Sequence, residues 1–106
     1  MFARLVVTQL RPCLATEFPI MFEREIMPLM KKQQGFVDEL LLVSAQTKES
    51  VSISLWETKS LAETYDRELC PRVEKMMERF IEGVPSVQEF EEKFATFHEV
   101  GNLAEV

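Results

Sequence analysis

The sequence has almost nothing from which to build a metal site. Its one histidine, His98, stands alone, and its two cysteines, Cys13 and Cys70, form no CxxC pair and lack a histidine at ligand spacing. No metal site is therefore expected. Both thiols read as reduced, which makes the cytoplasm the expected compartment. Basic residues are outnumbered: 12 Lys and Arg stand against 18 Asp and Glu, a net charge of −6. Nucleic acid and anionic membrane both require a basic face, so neither is expected as the main partner. No apolar stretch approaches the roughly 20 residues that cross a bilayer. No charged segment followed by an apolar run marks a signal peptide. Repeats, low-complexity tracts and linkers are also missing, so 106 residues with 46% apolar content read as one domain, 1–106, with one ordinary core.

What is present centres on residues 50–81. Val51, Ile53 and Leu55 alternate with Ser50, Ser52, Ser54 and Trp56, the period-2 pattern of a half-buried strand. Thr58 and Ser60 can cap the helix that follows, and Ser60 with Glu63 has capping-box spacing. Leu61, Tyr65, Leu69, Val73, Met76 and Phe80 then form one helical stripe. A bulky aromatic thus stands where strand hands over to helix, above serines too small to fill the space beneath that helix.

Residues 2–10 read as a first strand with apolar residues on both faces, ended by Arg11-Pro12. A helix over about 17–33 follows, with Thr16 as N-cap, Glu17 near its positive end, a kink or break at Pro28 and a stop at Gly35. Residues 36–46 read as a second strand, apolar on both sides from Leu40 to Val43, joined to the third by a tight turn at 47–49. Gly83–Ser86 reads as a turn, and 87–100 as a long final strand, with a helical extension as the alternative. The tail, 101–106, reads as frayed or as a small docking segment.

The order is β-α-β-β-α-β, an α+β, ferredoxin-like arrangement: a four-stranded antiparallel sheet with two helices on one face. Two helices cannot cover two apolar faces, and a sheet's worth of exposed apolar surface is rarely tolerated. A homodimer with the sheets packed face to face, a dimeric α+β barrel, is the expected solution.

These residues resemble the antibiotic biosynthesis monooxygenase-like domains of the dimeric α+β barrel superfamily. The resemblance spans essentially the whole chain and rests on REIMPLMKKQQGFVDELLLV and SISLWETKSLAETYDRELCPRVEKM. It implies a pocket between helices and sheet, with Trp56 on its wall, and a cofactor-free oxidation of a phenol- or quinone-type small molecule. Trp56, Tyr65 and Thr8 would then carry the chemistry, with Arg4, Ser52, Ser54, Phe22 and Leu69 binding the substrate. A non-catalytic, dimeric small-molecule-binding domain is the alternative. Haem-degrading relatives pair the tryptophan with an asparagine and a helix histidine. Here Thr8 takes the first position, and the second falls near Tyr65 or Asp66, which disfavours haem.

Each candidate also has an ordinary structural reading. Trp56 can be a core anchor whose indole N–H finds a carbonyl. Tyr65 can be a stripe residue with its hydroxyl at the rim, and Arg4 can be ion-paired with a glutamate. His98 suits an ordinary strand position, and Arg72 after Pro71 is a weak candidate for the pocket mouth. The methionines suit irregular core space, and Cys70 has no suitable basic neighbour for thiol chemistry. Glu89, Glu91 and Glu92 read as a solvated face.

Overall fold

The two most β-prone runs take the centre of the sheet. In the computed structural model, which describes residues 1–96, β1 (Phe2–Leu10) and β3 (Glu49–Trp56) pair antiparallel from Phe2↔Trp56 to Gln9↔Glu49. β2 (Phe36–Val43) and β4 (Ile81–Glu91) form the edges, in the order β2-β3-β1-β4 with every pair antiparallel. Helical segments between β1 and β2 and between β3 and β4 cover one face. There Phe18, Phe22, Ile26, Tyr65 and Val73 share a core with Phe2, Leu10 and Trp56. The expected ferredoxin-like α+β fold is the fold observed. Among the described residues no helix is long and apolar enough to cross a membrane.

Both expected helices are broken, each just before a proline. The first runs as α1 (Glu17–Met21), a π turn (Phe22–Ile26) and α2 (Met27–Lys31). Pro28 cannot donate to the carbonyl four residues earlier, and its ring crowds that carbonyl. The turn widens instead, and the N–H of Met27 bonds to the Phe22 carbonyl. Thr16 holds the N-cap position, but its backbone is already helical and its side chain makes no capping bond. The second runs as α3 (Lys59–Glu68) and α4 (Cys70–Met77), separated at Leu69 one residue after α3 ends and two before Pro71. Thr58 caps α3, its Oγ1 accepting from the N–H of Leu61 at 3.2 Å. The cap therefore sits two residues before Ser60, and the Ser60–Glu63 box is not used.

The strands end where their partners do. β2 stops at Val43 rather than 46, because Ser44 Oγ accepts from the N–H of Thr47 at 3.1 Å and folds the chain into the hairpin turn. Gly83–Ser86 is not a turn but part of β4. Gly83, Val84 and Pro85 together stand opposite the single residue Thr8, between the pairs Val7↔Ser86 and Gln9↔Glu82. On an edge strand a proline's missing donor can face away from the ladder, so glycine and proline here make a bulge. β4 ends at Glu91 because Glu91 already pairs with Phe2, the first residue of β1. The expected continuation to residue 100 fails as far as residue 96; Phe97, His98 and the tail lie outside the described residues.

One more bulge decides which way β2 faces. Phe36 pairs with Trp56 and Asp38 with Leu55, so Val37 is the extra residue and the parity switches. Leu41 and Val43 consequently face the helices, whereas Leu40 and Leu42 turn to the open side and are about half exposed, at 52% and 49%. In the single chain β2 is thus not buried on both faces.

Gly35 joins the two layers. Its φ of +85° is a left-handed conformation, and a Cβ there would meet Leu61 Cδ1 at 2.5 Å and Leu61 Cβ at 2.7 Å. Gly83 shares the backbone class, at +75°, but has nothing within 4 Å. Thermal denaturation is expected to show Gly35→Ala losing about 2–4 kcal/mol and Gly83→Ala about 1 kcal/mol. Equal losses would mean that Leu61 does not constrain the site.

Candidate functional site

The helix-facing sides of β1 and β3 carry hydroxyls where an ordinary core would carry branched aliphatics. Thr8 pairs with Ser50, Val6 with Ser52 and Arg4 with Ser54. Such short side chains do not reach the helices above, and a cavity of about 660 Å³ remains between the layers, a size suited to a small organic ligand. Its floor is Thr8, Ser50, Ser52 and Ser54. Phe18, Phe22 and Met30 wall it from the first helical segment, Tyr65, Cys70 and Val73 from the second. Gly83, Pro85 and Val87 of the bulged edge strand complete it. The Thr8 hydroxyl is buried with no hydrogen-bond partner. Leaving such a group unpaired costs about 1–3 kcal/mol.

Arg4 supplies the buried charge, while Arg11, Glu74, Lys75 and Glu78 of the lining are exposed. Arg4 is 8% exposed, donates to Asp66 Oδ1 at 2.8 Å and to Cys70 Sγ at 3.5 Å, and lies 5.8 Å from the Tyr65 ring centroid. The ion pair is thus with Asp66 rather than with a glutamate. Burial raises the Tyr65 hydroxyl well above the ordinary phenol range, so it stays protonated and can donate. Burial also pushes the Cys70 thiol up to about 11, with Arg4 pulling the other way. The protonated thiol makes a bond of 3.3 Å with Glu74 Oε1 and is a poor nucleophile.

Glu39 had no signal in the sequence. The bulge at Val37 turns it to the helix-covered side, opposite Ser54, where Ser52 Oγ donates to its two oxygens at 3.1 and 3.3 Å. Burial raises this carboxyl to about 8, against smaller opposing effects from Ser52 and the Leu40 N–H. At neutral pH the group is mostly a neutral acid.

Of the residues expected at the site, Thr8, Tyr65, Arg4, Ser52, Ser54 and Phe22 border the cavity together. Trp56 and Leu69 are buried outside its lining. Trp56 has no exposure; its Nε1 donates to Ser54 Oγ at 3.0 Å, and its ring lies 4.8 Å from that of Tyr65 and 5.7 Å from that of Phe36. The aromatic that meets the cavity is Tyr65, backed by Trp56. Among the described residues no group of three His, Cys, Asp or Glu is placed to hold a metal ion.

A four-stranded antiparallel sheet, helices on one face and a hydroxyl-floored cavity between them define an α+β domain with an interlayer cavity. The fold is that of the antibiotic biosynthesis monooxygenase-like proteins, known here from solved structures. A monooxygenase of Streptomyces coelicolor in complex with nanaomycin D matches with a TM-score of 0.74 at 14% identity, over 92% of each chain. A Deinococcus radiodurans protein described as an antibiotic biosynthesis monooxygenase matches at 0.74 and 11% identity, over 95% of this chain and all of the other. One from Nitrosomonas europaea matches at 0.73 and 11%, over 89% of this chain and all of the other. No family model and no curated protein matches the sequence. At such identities the likeness is one of fold.

The Glu39 proton makes stability depend on pH. The folded chain holds this proton up to about 8, whereas the unfolded chain releases it near 4.5. The native state therefore binds more protons between those values. Its stabilising effect is complete below the lower value and declines as pH rises through the higher one. The decline is about 5 kcal/mol at most. Urea denaturation at a series of pH values is expected to show this fall in the parent chain and a flatter profile in Glu39→Gln, which should be the more stable of the two at high pH.

Proposed function

We propose that the chain is a cofactor-independent, monooxygenase-like enzyme acting on a small phenol- or quinone-type aromatic held between sheet and helices. The observation that carries this reading is the buried, unpartnered Thr8 hydroxyl on the floor of an aromatic-walled cavity. A ligand oxygen would satisfy it, with its ring among Phe18, Phe22 and Tyr65. Arg4 would stabilise the anion formed when such a substrate loses a proton, more strongly in a dry cavity than in water. The substrate itself would supply the electrons, while the protein holds it in place and excludes solvent. Neighbours of the same fold described as monooxygenases, one of them complexed with nanaomycin D, support the reading.

Thr8→Val tests it from two directions. Removing an unpaired hydroxyl should leave thermal stability unchanged or slightly raised. It should also weaken binding of a hydroquinone or anthrone-type probe by about tenfold, the worth of one hydrogen bond, and lower oxygen uptake with that probe. Probe binding without oxygen uptake beyond buffer in the parent chain would instead identify a non-catalytic binding domain.

The same reading includes a homodimer. Leu5, Ile53 and Leu40 form one apolar row across the open face, and Val7, Val51 and Leu42 form the next. Phe90, half exposed, stands beside Ala3. A second copy of this face would bury all of them. Sedimentation equilibrium at micromolar concentration is expected to give a dimer, and Leu42→Glu a monomer. A monomeric parent chain would overturn the assembly.

A further inference from the structure

Ser52 looks two ways. One side of it borders the cavity, and its hydroxyl donates to Glu39 at 3.1 Å on the other. Glu39 itself does not border the cavity, and the lining side chain hydrogen-bonded to its carboxyl is Ser52. The placement is specific to the register. Without the extra residue at Val37, the carboxylate would point to the open face; with it, Arg4, Ser54 and Glu39 lie in one row across β1, β3 and β2. Asp66 takes the direct bond from Arg4, and Glu39 is left with Ser52 and the Leu40 N–H. Such a carboxylate is well hydrogen-bonded but has no cation in contact, which makes it a base rather than half of an ion pair.

We propose that Ser52 and Glu39 form a proton relay that accepts the acidic proton of the aromatic substrate. The proposal rests on the function proposed above and names the residues that would perform its first step. The substrate C–H or O–H bond breaks heterolytically, and its proton passes to Ser52 Oγ. The proton already on Ser52 passes to Glu39, and the electron pair stays on the substrate as a delocalised anion beside Arg4. Ser52 ends unchanged, Glu39 ends as the neutral acid, and no oxidant takes part. The charged and titratable groups around Glu39 are Arg4 of β1, Tyr65 of α3 and Asp38 of its own strand. Tyr65 stays protonated, and Asp38 adds to the repulsion that holds the Glu39 proton. The relay is in its accepting form above about pH 8.

The test isolates proton transfer from oxidation. Anthrone in deuterated buffer without oxygen is followed by proton NMR, and exchange at its ring methylene is measured for the parent chain, Glu39→Gln and Ser52→Ala. The amide introduced by Glu39→Gln would keep the bond to Ser52, and circular dichroism confirms that each variant is folded. The parent chain should accelerate exchange over buffer, with the acceleration rising through about pH 8. Each variant should lose most of it, about 100-fold. No acceleration by the parent chain, or an equal one by Glu39→Gln, overturns the relay. Oxygen uptake measured in air separates the two levels. Glu39-dependent exchange without uptake keeps the relay and removes the oxygenase; uptake with Glu39-independent exchange does the reverse.

Discussion

A row of small hydroxyl side chains lies where the sheet meets its helices, and the space above those side chains must be kept open by something else. Ser50, Ser52 and Ser54 alternate along β3, and Thr8 adds a fourth hydroxyl from β1. Leucines there would fill the layer and bring the helices down onto the sheet, as close-packed interiors require. The large residues are pushed to the periphery instead. Trp56, Phe36 and Tyr65 pack together at one end of β3, and Phe18, Phe22 and Phe80 at another part of the core. Aromatic clusters act as spacers, and the serines define the gap between them.

Three departures from regular structure border this gap. The π turn carries Phe22, the first turn of α4, just past the break at Leu69, carries Cys70 and Pro71, and the β4 bulge carries Gly83 and Pro85; all five residues line the cavity. Each departure has a local cause in a proline or glycine, and each displaces backbone that would otherwise close over the floor. The bulge is the clearest case, because the three residues that step out of register stand opposite Thr8. The hydroxyl at that position is left buried and without a hydrogen-bond partner. Proline and glycine punctuation, which normally marks loops, is used here inside elements and on one side of the molecule.

Much of this was legible in the sequence, and what was not has a physical reason. The alternation in β3 identified the hydroxyl floor, since period-2 patterning survives wherever one face packs. Pro28 correctly announced a broken helix. Gly83 and Pro85 were misread as a turn because the same residues favour turns and edge bulges alike, and only the partner strand decides between them. Glu39 was invisible for a deeper reason. With strict alternation, Phe36 and Glu39 belong to opposite faces, yet both face the helices because Val37 is squeezed out of the ladder. A valine gives no signal of a bulge, and one unmarked residue reversed the facing of all that follows in β2. The same slip put Leu40 and Leu42 on the open side. Trp56 was placed on the correct face, but its depth depends on Tyr65 packing over it, a contact between residues on different elements.

The electrostatics of the cavity follow from competition for a single buried cation. Arg4 is surrounded by Asp66, Glu39, Cys70 and Tyr65. Asp66, half exposed, takes the short bond at 2.8 Å. Glu39 lies deeper, where ionisation is costly, and feels Arg4 only as a weak pull behind the effects of burial, Ser52 and Leu40. Had the guanidinium turned toward β2, it would have pulled the carboxyl of Glu39 down against the effect of burial and paired with it. The division instead leaves the cation satisfied by a carboxylate near solvent, while the carboxyl beneath the serines keeps its proton at neutral pH. Charge is thus separated across the floor, a fixed positive group beside Tyr65 and a switchable negative one beyond Ser52. An anion formed between them would meet attraction on one side and, once its proton had moved, no repulsion on the other.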